Sequence, residues 1–399
     1  MKILQLCPRI PFPPVDGGTI GMYNLSKALL DHGAYVKVLA FNTSKHYIQE
    51  TEIDHEYIKS HQLETVFLDN KINIIDAFLN LFTKDSYHIS RFKSALFSEQ
   101  LKQILIKEEF DIIQIDYLPM ALYIDQIRAF SKAKIVLRAH NVEHRIWKRL
   151  AEENKNILKR WYLRKLSSRL YEFEKNVLRK IDALVSLTEE ETVIFKAMKF
   201  DGPFCIAPTC FYIDPDIPDI KQNQFSIFHI GAMDWLPNCE GLEWFIREAW
   251  PKVLTTFPDL KLYIAGNKMP EKFFQLKSKN INVQGRVADA RQFMLEHTLM
   301  IVPVFAGSGI RVKIVEGMAL GKTIISTSQG AEGLHYNDME NIIIANTADE
   351  ISEAIAKCYH SEELVRTIGK NARTLALQYY DMRKVGERVW KFYEELAGK

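Results

Sequence analysis

The sequence predicts an α/β protein of two domains, each built on a parallel sheet with helices against it. Three observations carry this expectation. The chain has 399 residues, more than one hydrophobic core usually supports. Short β-branched runs alternate with longer helical patterns from the first residue onward, the pattern of βα units around a parallel sheet. The alternation breaks once, in a proline-rich polar stretch, and then starts afresh.

In order along the chain, the first half places strands at 3–7, 36–41, 65–68, 111–116, 135–140 and 183–187, with helices in most of the gaps. Pro203, Pro208, Pro215 and Pro218 then crowd a stretch unfit for a helix or a central strand, so the expected linker is 209–224. Strands resume at 226–231, 261–266, 281–285, 299–304, 323–326 and 341–345. Two helices close the chain, at 364–379 and 382–396. The expected domains are therefore 1–208 and 225–379, with residues 380–399 returning to the first.

Composition narrows the function by exclusion. Hydrophobic residues make up 47% and charged residues 26%, as in ordinary globular proteins, and a net charge of +2 gives no whole-chain reason to expect nucleic acid. The five cysteines, Cys7, Cys205, Cys210, Cys239 and Cys358, are odd in number and form no C-x-x-C pair, which fits neither a disulfide framework nor a zinc site. Met1 leads straight into a strand pattern with no leader-like segment, and no apolar run is long enough to span a bilayer, the run 72–82 being broken by Asn73, Asp76 and Asn80. A cytoplasmic chain is expected.

Three motifs fall away on inspection. Residues 317–323 resemble a Walker A loop, but Glu316 stands where that motif needs a glycine. Asp214-Pro215-Asp216 has the form of a metal-binding D-x-D, yet follows no strong strand. Gly17-Gly18-Thr19-Ile20-Gly21 lies too far beyond the first strand, with the wrong spacing, for a dinucleotide fingerprint.

The strongest signal is Phe305-Ala306-Gly307-Ser308-Gly309-Ile310-Arg311-Val312-Lys313, which follows the strand 299–304 and runs into a helical pattern through Ile314, Val315 and Met318. A glycine loop opening a helix leaves backbone N–H groups for an anion at the positive end of the helix dipole. Arg311 and Lys313 stand where that dipole favours acids, so they point to a bound polyanion. Glu316, a turn later, suits the two hydroxyls of a ribose.

These motifs, in this order, resemble the glycosyltransferase family 4 group of GT-B enzymes over both halves of the chain. Gly231-Ala232-Met233-Asp234-Trp235 is similar to the opening of that family's second domain, and Gly285-Arg286-Val287 to the segment lying against the nucleotide base. Gly307, Ser308, Gly309 and Glu316 match its diphosphate and ribose site, and Gly330-Ala331-Glu332 the loop that follows. In the first half, Gly17 and Gly18 resemble the glycine loop facing the donor phosphates, and His140, in Arg138-Ala139-His140-Asn141, the active-site histidine. Two departures stand out. Ser308 occupies the position of the first of two family glutamates, and Ala232 and Asn238 stand near where many members carry an arginine and a lysine.

The resemblance implies two Rossmann-like domains facing across a cleft and retaining transfer of a sugar from a nucleotide-diphosphate-sugar to a glycan or lipid-linked acceptor, without metal or cofactor. It makes His140, Arg311, Lys313 and Glu316 the catalytic set and bacterial cell-envelope or exopolysaccharide synthesis the expected pathway. A nucleotide-sugar epimerase and a non-catalytic nucleotide-sugar-binding protein are the alternatives. One local feature lies outside the resemblance: residues 144–180 carry 12 Lys or Arg against 4 Glu, interleaved with Trp147, Leu150, Ile157, Leu158 and Trp161. Such a stretch either lies peripherally on an anionic membrane or packs on its own domain.

Overall fold

In a computed structural model, the described residues are all but positions 72, 74–79, 81, 82, 84, 85, 218–223, 277, 308 and 309. Ser308, Gly309, part of the expected linker and much of the run 72–82 thus lie outside the described residues. The chain divides into two compact units, one of residues 1–210 with 382–399, the other of residues 211–381.

The first unit holds a parallel sheet of seven strands: β1 (Lys2–Cys7), β2 (Tyr35–Thr43), β3 (Glu64–Leu68), β4 (Ile112–Asp116), β5 (Lys134–Ala139), β6 (Ala183–Ser186) and β7 (Phe204–Ile206), in the order β3-β2-β1-β4-β5-β6-β7. Side chains alternate across it. Leu4, Leu6, Leu39 and Phe41 join one core with residues of the helices Ala95–Lys107, Ile124–Phe130 and Ile157–Leu178. Ile3, Cys7, Val36 and Val38 join the other, against the helices Gly17–Asp31 and Met382–Ala397. Both faces of the sheet are covered, so its central strands read as apolar runs rather than as alternation. The C-terminal helix belongs here because Met382, Val385, Val389 and Tyr393 form one buried stripe at helical spacing.

The second unit has six parallel strands: β8 (Ile227–Ile230), β9 (Leu262–Ala265), β10 (Ile281–Gly285), β11 (Leu299–Val302), β12 (Thr323–Ser326) and β13 (Ile343–Ile344), ordered β10-β9-β8-β11-β12-β13. Each sheet and its helices form a Rossmann-like α/β unit of the GT-B type. The expected linker is divided. Phe211 donates its N–H to the Tyr380 carbonyl at 2.9 Å and pairs with Asp381, which ties the segment after Cys210 to the second unit. All five cysteines are buried and free.

Candidate active site

In a parallel sheet every strand's carboxyl end emerges at the same edge, and in the second unit the loops after the neighbouring strands β8, β11 and β12 carry the motif residues there. The loop after β11 enters the helix Val312–Ala319 at Arg311, with no side-chain cap and no acid in its first turn. Its amides and dipole are thus left for an external anion. Gly307 holds φ at 97°, a left-handed backbone that glycine adopts without strain. A Cβ there would lie 2.7 Å from the Trp235 ring.

Two cations converge on this point. The buried Arg311 guanidinium lies over the Trp235 ring at 4.9 Å and donates to the Ala306 carbonyl at 3.4 Å. Lys313 donates from Nζ to Asn238 Oδ1 at 2.7 Å, and Asn238 in turn donates to the Ala232 carbonyl at 2.9 Å. Gly231 leaves the ammonium its room, since a Cβ at that position would sit 3.1 Å from Lys313 Nζ. Burial, with repulsion from Arg311 added, lowers the Lys313 pKa to about 7. Both effects disfavour the charged ammonium, and an anion beside it would favour that form.

The Glu316 carboxylate, a turn further along the helix, has no hydrogen bond or ion pair among the described residues, and burial raises its pKa to about 7. It lines a cavity of about 200 Å3 with Ala290, Arg291, Met294 and Leu320. The exposed Arg286 and partly buried Val287 follow Gly285 and precede the helix Ala290–Glu296. The turn after β12 is more structural than expected. Gly330 donates to Thr327 Oγ1 at 2.9 Å, Ala331 is fully buried, and only Glu332 reaches toward the glycine loop, through Gln329, whose amide donates to Glu332 and to the Gly307 carbonyl at 2.8 Å.

The motifs set aside on sequence have other partners. Asp214 accepts from the Asp216 N–H and from Arg291, both at 3.0 Å, and Lys322 donates to the carbonyls of Leu295 and His297. Among the described residues, no three His, Cys, Asp or Glu side chains cluster as metal ligands would.

The first unit holds the remaining candidates. His140, the residue after β5, places Nε2 3.0 Å from Asp116 Oδ1 and 3.3 Å from Arg138 Nη1. The carboxylate contact requires the ring proton on Nε2, so Nδ1 keeps its lone pair. Burial, then the Arg138 charge, holds the His140 pKa below its usual value and the ring neutral. Burial opposes ionisation of Asp116, but hydrogen bonding to His140 and the Arg138 charge outweigh it and lower its pKa. Asp116 also accepts from Gln5 at 2.7 Å and Gln114 at 2.6 Å, and Gln114 accepts from Tyr393 of the C-terminal helix at 2.6 Å. Gly17 and Gly18 open the helix Gly17–Asp31, but the Asp16 carboxylate already takes the N–H groups of Gly18 and Thr19 and pairs with Arg9, leaving the Gly17 N–H outside this cap. Sequence reasoning missed the supporting residues Asp116 and Gln329, and it named Trp235 and Asn238 without the contacts they make to Arg311 and Lys313. Only their contacts, made across long stretches of chain, reveal them.

Residues 224–361 match the family model described as glycosyl transferases group 1. Along its whole length the chain is similar to an uncharacterized 44.6 kDa protein in the cps region of Klebsiella pneumoniae, at 23% identity over 98% of this chain and 99% of that protein. Its fold is that of the sucrose-phosphate synthase of Thermosynechococcus elongatus, with a TM-score of 0.69 and 16% identity over 100% of both chains. The Anabaena protein HepE, solved in complex with UDP, shares it with a TM-score of 0.65 and 14% identity over 99% of this chain and 100% of that one. The matched segment contains β8 to β13, Arg311, Lys313 and Glu316.

Proposed function

We propose that the protein is a retaining glycosyltransferase that takes the sugar of a nucleotide-diphosphate-sugar and passes it to a glycan or lipid-linked acceptor in cell-envelope or exopolysaccharide synthesis. The observation that carries this is the pairing of Lys313 with Asn238 beside Gly231, within the field of the Arg311 guanidinium and at an uncapped helix N-terminus. Cleavage of the donor leaves negative charge on the departing diphosphate, and fixed cations and amides are the groups that stabilise it. Asn238 stands near where related enzymes carry a cation, and Lys313 delivers its ammonium to that place from the glycine-loop helix. Glu316 accepts the ribose hydroxyls, and His140, with Nδ1 as an acceptor, contacts the transferring sugar. Arg311 and Lys313 supply the positive charge at the diphosphate, so transfer proceeds without a divalent metal.

The likeness to HepE makes UDP-sugars the first donors to try, and the cps-region relative supports surface polysaccharide as the product. The basic helices of the first unit support a peripheral position at an anionic membrane. The test is incubation with UDP-, GDP- and ADP-sugars, with and without extracted lipid acceptors, in EDTA. Acceptor-dependent release of nucleoside diphosphate, with the donor's anomeric configuration kept in the product, is expected. An altered sugar formed without any acceptor would mean an epimerase, and activity that returns only with manganese would overturn the metal-free reading.

A further inference from the structure

The helices Glu143–Glu153 and Ile157–Leu178 enclose a second hollow, of about 590 Å3, which the proposed transfer chemistry does not use. Arg145 and Lys148 line it from the first helix and Arg164 from the second, with Glu152 the one acid among its lining residues. Among the described residues these three cations make no ion pair or hydrogen bond. Neighbouring charges in the same helices are satisfied: Glu174 is held by His144 at 2.5 Å and by the Glu143 N–H at 2.8 Å, and Arg169 donates to the Asn80 carbonyl at 2.8 Å. Arg145, Lys148 and Arg164 thus gather positive charge in the hollow, with the Ser168 hydroxyl and the Tyr171 ring in its wall.

An apolar surface continues the same row. Residues three and four apart share a helix face, so Tyr171, Ser168 and Arg164 extend toward the helix start through Trp161 and Ile157. Trp161 is 56% exposed, Ile157 71% and the adjacent Leu158 79%. Large apolar residues this exposed, beside unpaired cations, match the layering of a membrane surface, where hydrocarbon lies next to a charged headgroup plane.

We propose that this hollow binds the phosphate of a membrane lipid through Arg145, Lys148 and Arg164, while Ile157, Leu158 and Trp161 enter the acyl boundary. The inference deepens the membrane-side part of the proposed function, but binding itself does not depend on sugar transfer. It is tested by sedimentation of the full chain with vesicles of phosphatidylcholine alone, and with phosphatidylglycerol or phosphatidic acid added to matched surface charge. Both acidic vesicles bind the protein and neutral ones do not, with phosphatidic acid tighter because its phosphate is open to the hollow. The triple variant Arg145→Gln, Lys148→Gln, Arg164→Gln loses about a hundredfold in affinity for phosphatidic acid vesicles. The triple variant Lys155→Gln, Lys159→Gln, Arg160→Gln, with the same charge change on neighbouring surface, loses far less. Equal losses in the two variants, no binding to acidic vesicles by the native chain, or binding of inorganic phosphate alone would each overturn the proposal. Circular dichroism establishes that both variants fold, and an unchanged nucleoside-diphosphate affinity in each keeps this result separate from any failure of the donor site.

Discussion

In the proposed transfer Lys313 and His140 carry the chemistry, and each has a protonation state set by its surroundings. A lysine with a pKa of about 7 is largely neutral at pH 8, whereas an adjoining diphosphate favours its charged form. Binding of a nucleoside diphosphate at pH 8 is therefore accompanied by proton uptake, and affinity weakens as pH rises above 7 until the bound-state pKa is passed. Glu316 is already ionised at that pH and adds little. Calorimetry in buffers of different ionisation enthalpy measures the uptake, which disappears in Lys313→Met. At His140 the expectation is different: His140→Ala lowers kcat by about a hundredfold while nucleoside-diphosphate affinity stays the same. Asp116→Asn leaves the buried Arg138 without its carboxylate and costs about 3 to 5 kcal/mol of stability in urea unfolding. Adding Arg138→Met to that change returns part of the loss.

Elements pack closely where glycine allows it, and the C-terminal helix is the clearest case. A Cβ on Gly386 would lie 2.5 Å from the Ala28 Cβ, so the helices Met382–Ala397 and Gly17–Asp31 meet with no space for a side chain at this crossing. Gly386→Leu is expected to lower the stability of the first unit by about 2 kcal/mol, read as an earlier urea midpoint. The reciprocal exchange, Gly386→Ala with Ala28→Gly, is tolerated better because the atom added on one helix is removed from the other. Most strands were legible because both faces of each sheet are buried and the strands spell apolar runs. β7 escaped notice since it has three residues, one of them the exposed Phe204, directly after Pro203. The glycine loop and its cations were readable as local sequence. Lys313 and Asn238, 75 residues apart, and Asp116 and His140, 24 apart, were not, because their contacts are made by the register of the sheets and the loops that leave them.

At the scale of the whole chain, the proposed transfer is divided between two α/β units: residues 224–361 would hold the nucleotide diphosphate, and the first unit carries His140 and the basic helices. No helix among the described residues is long and apolar enough to cross a membrane. All of this rests on the diphosphate site, and titration calorimetry of the intact chain with UDP, GDP and ADP, beside its Lys313→Met and Arg311→Gln forms, tests that site most directly. At least one nucleotide is expected to bind the native chain, and each substitution to weaken that binding about tenfold or more. Absence of binding by all three, or binding indifferent to both substitutions, would contradict it.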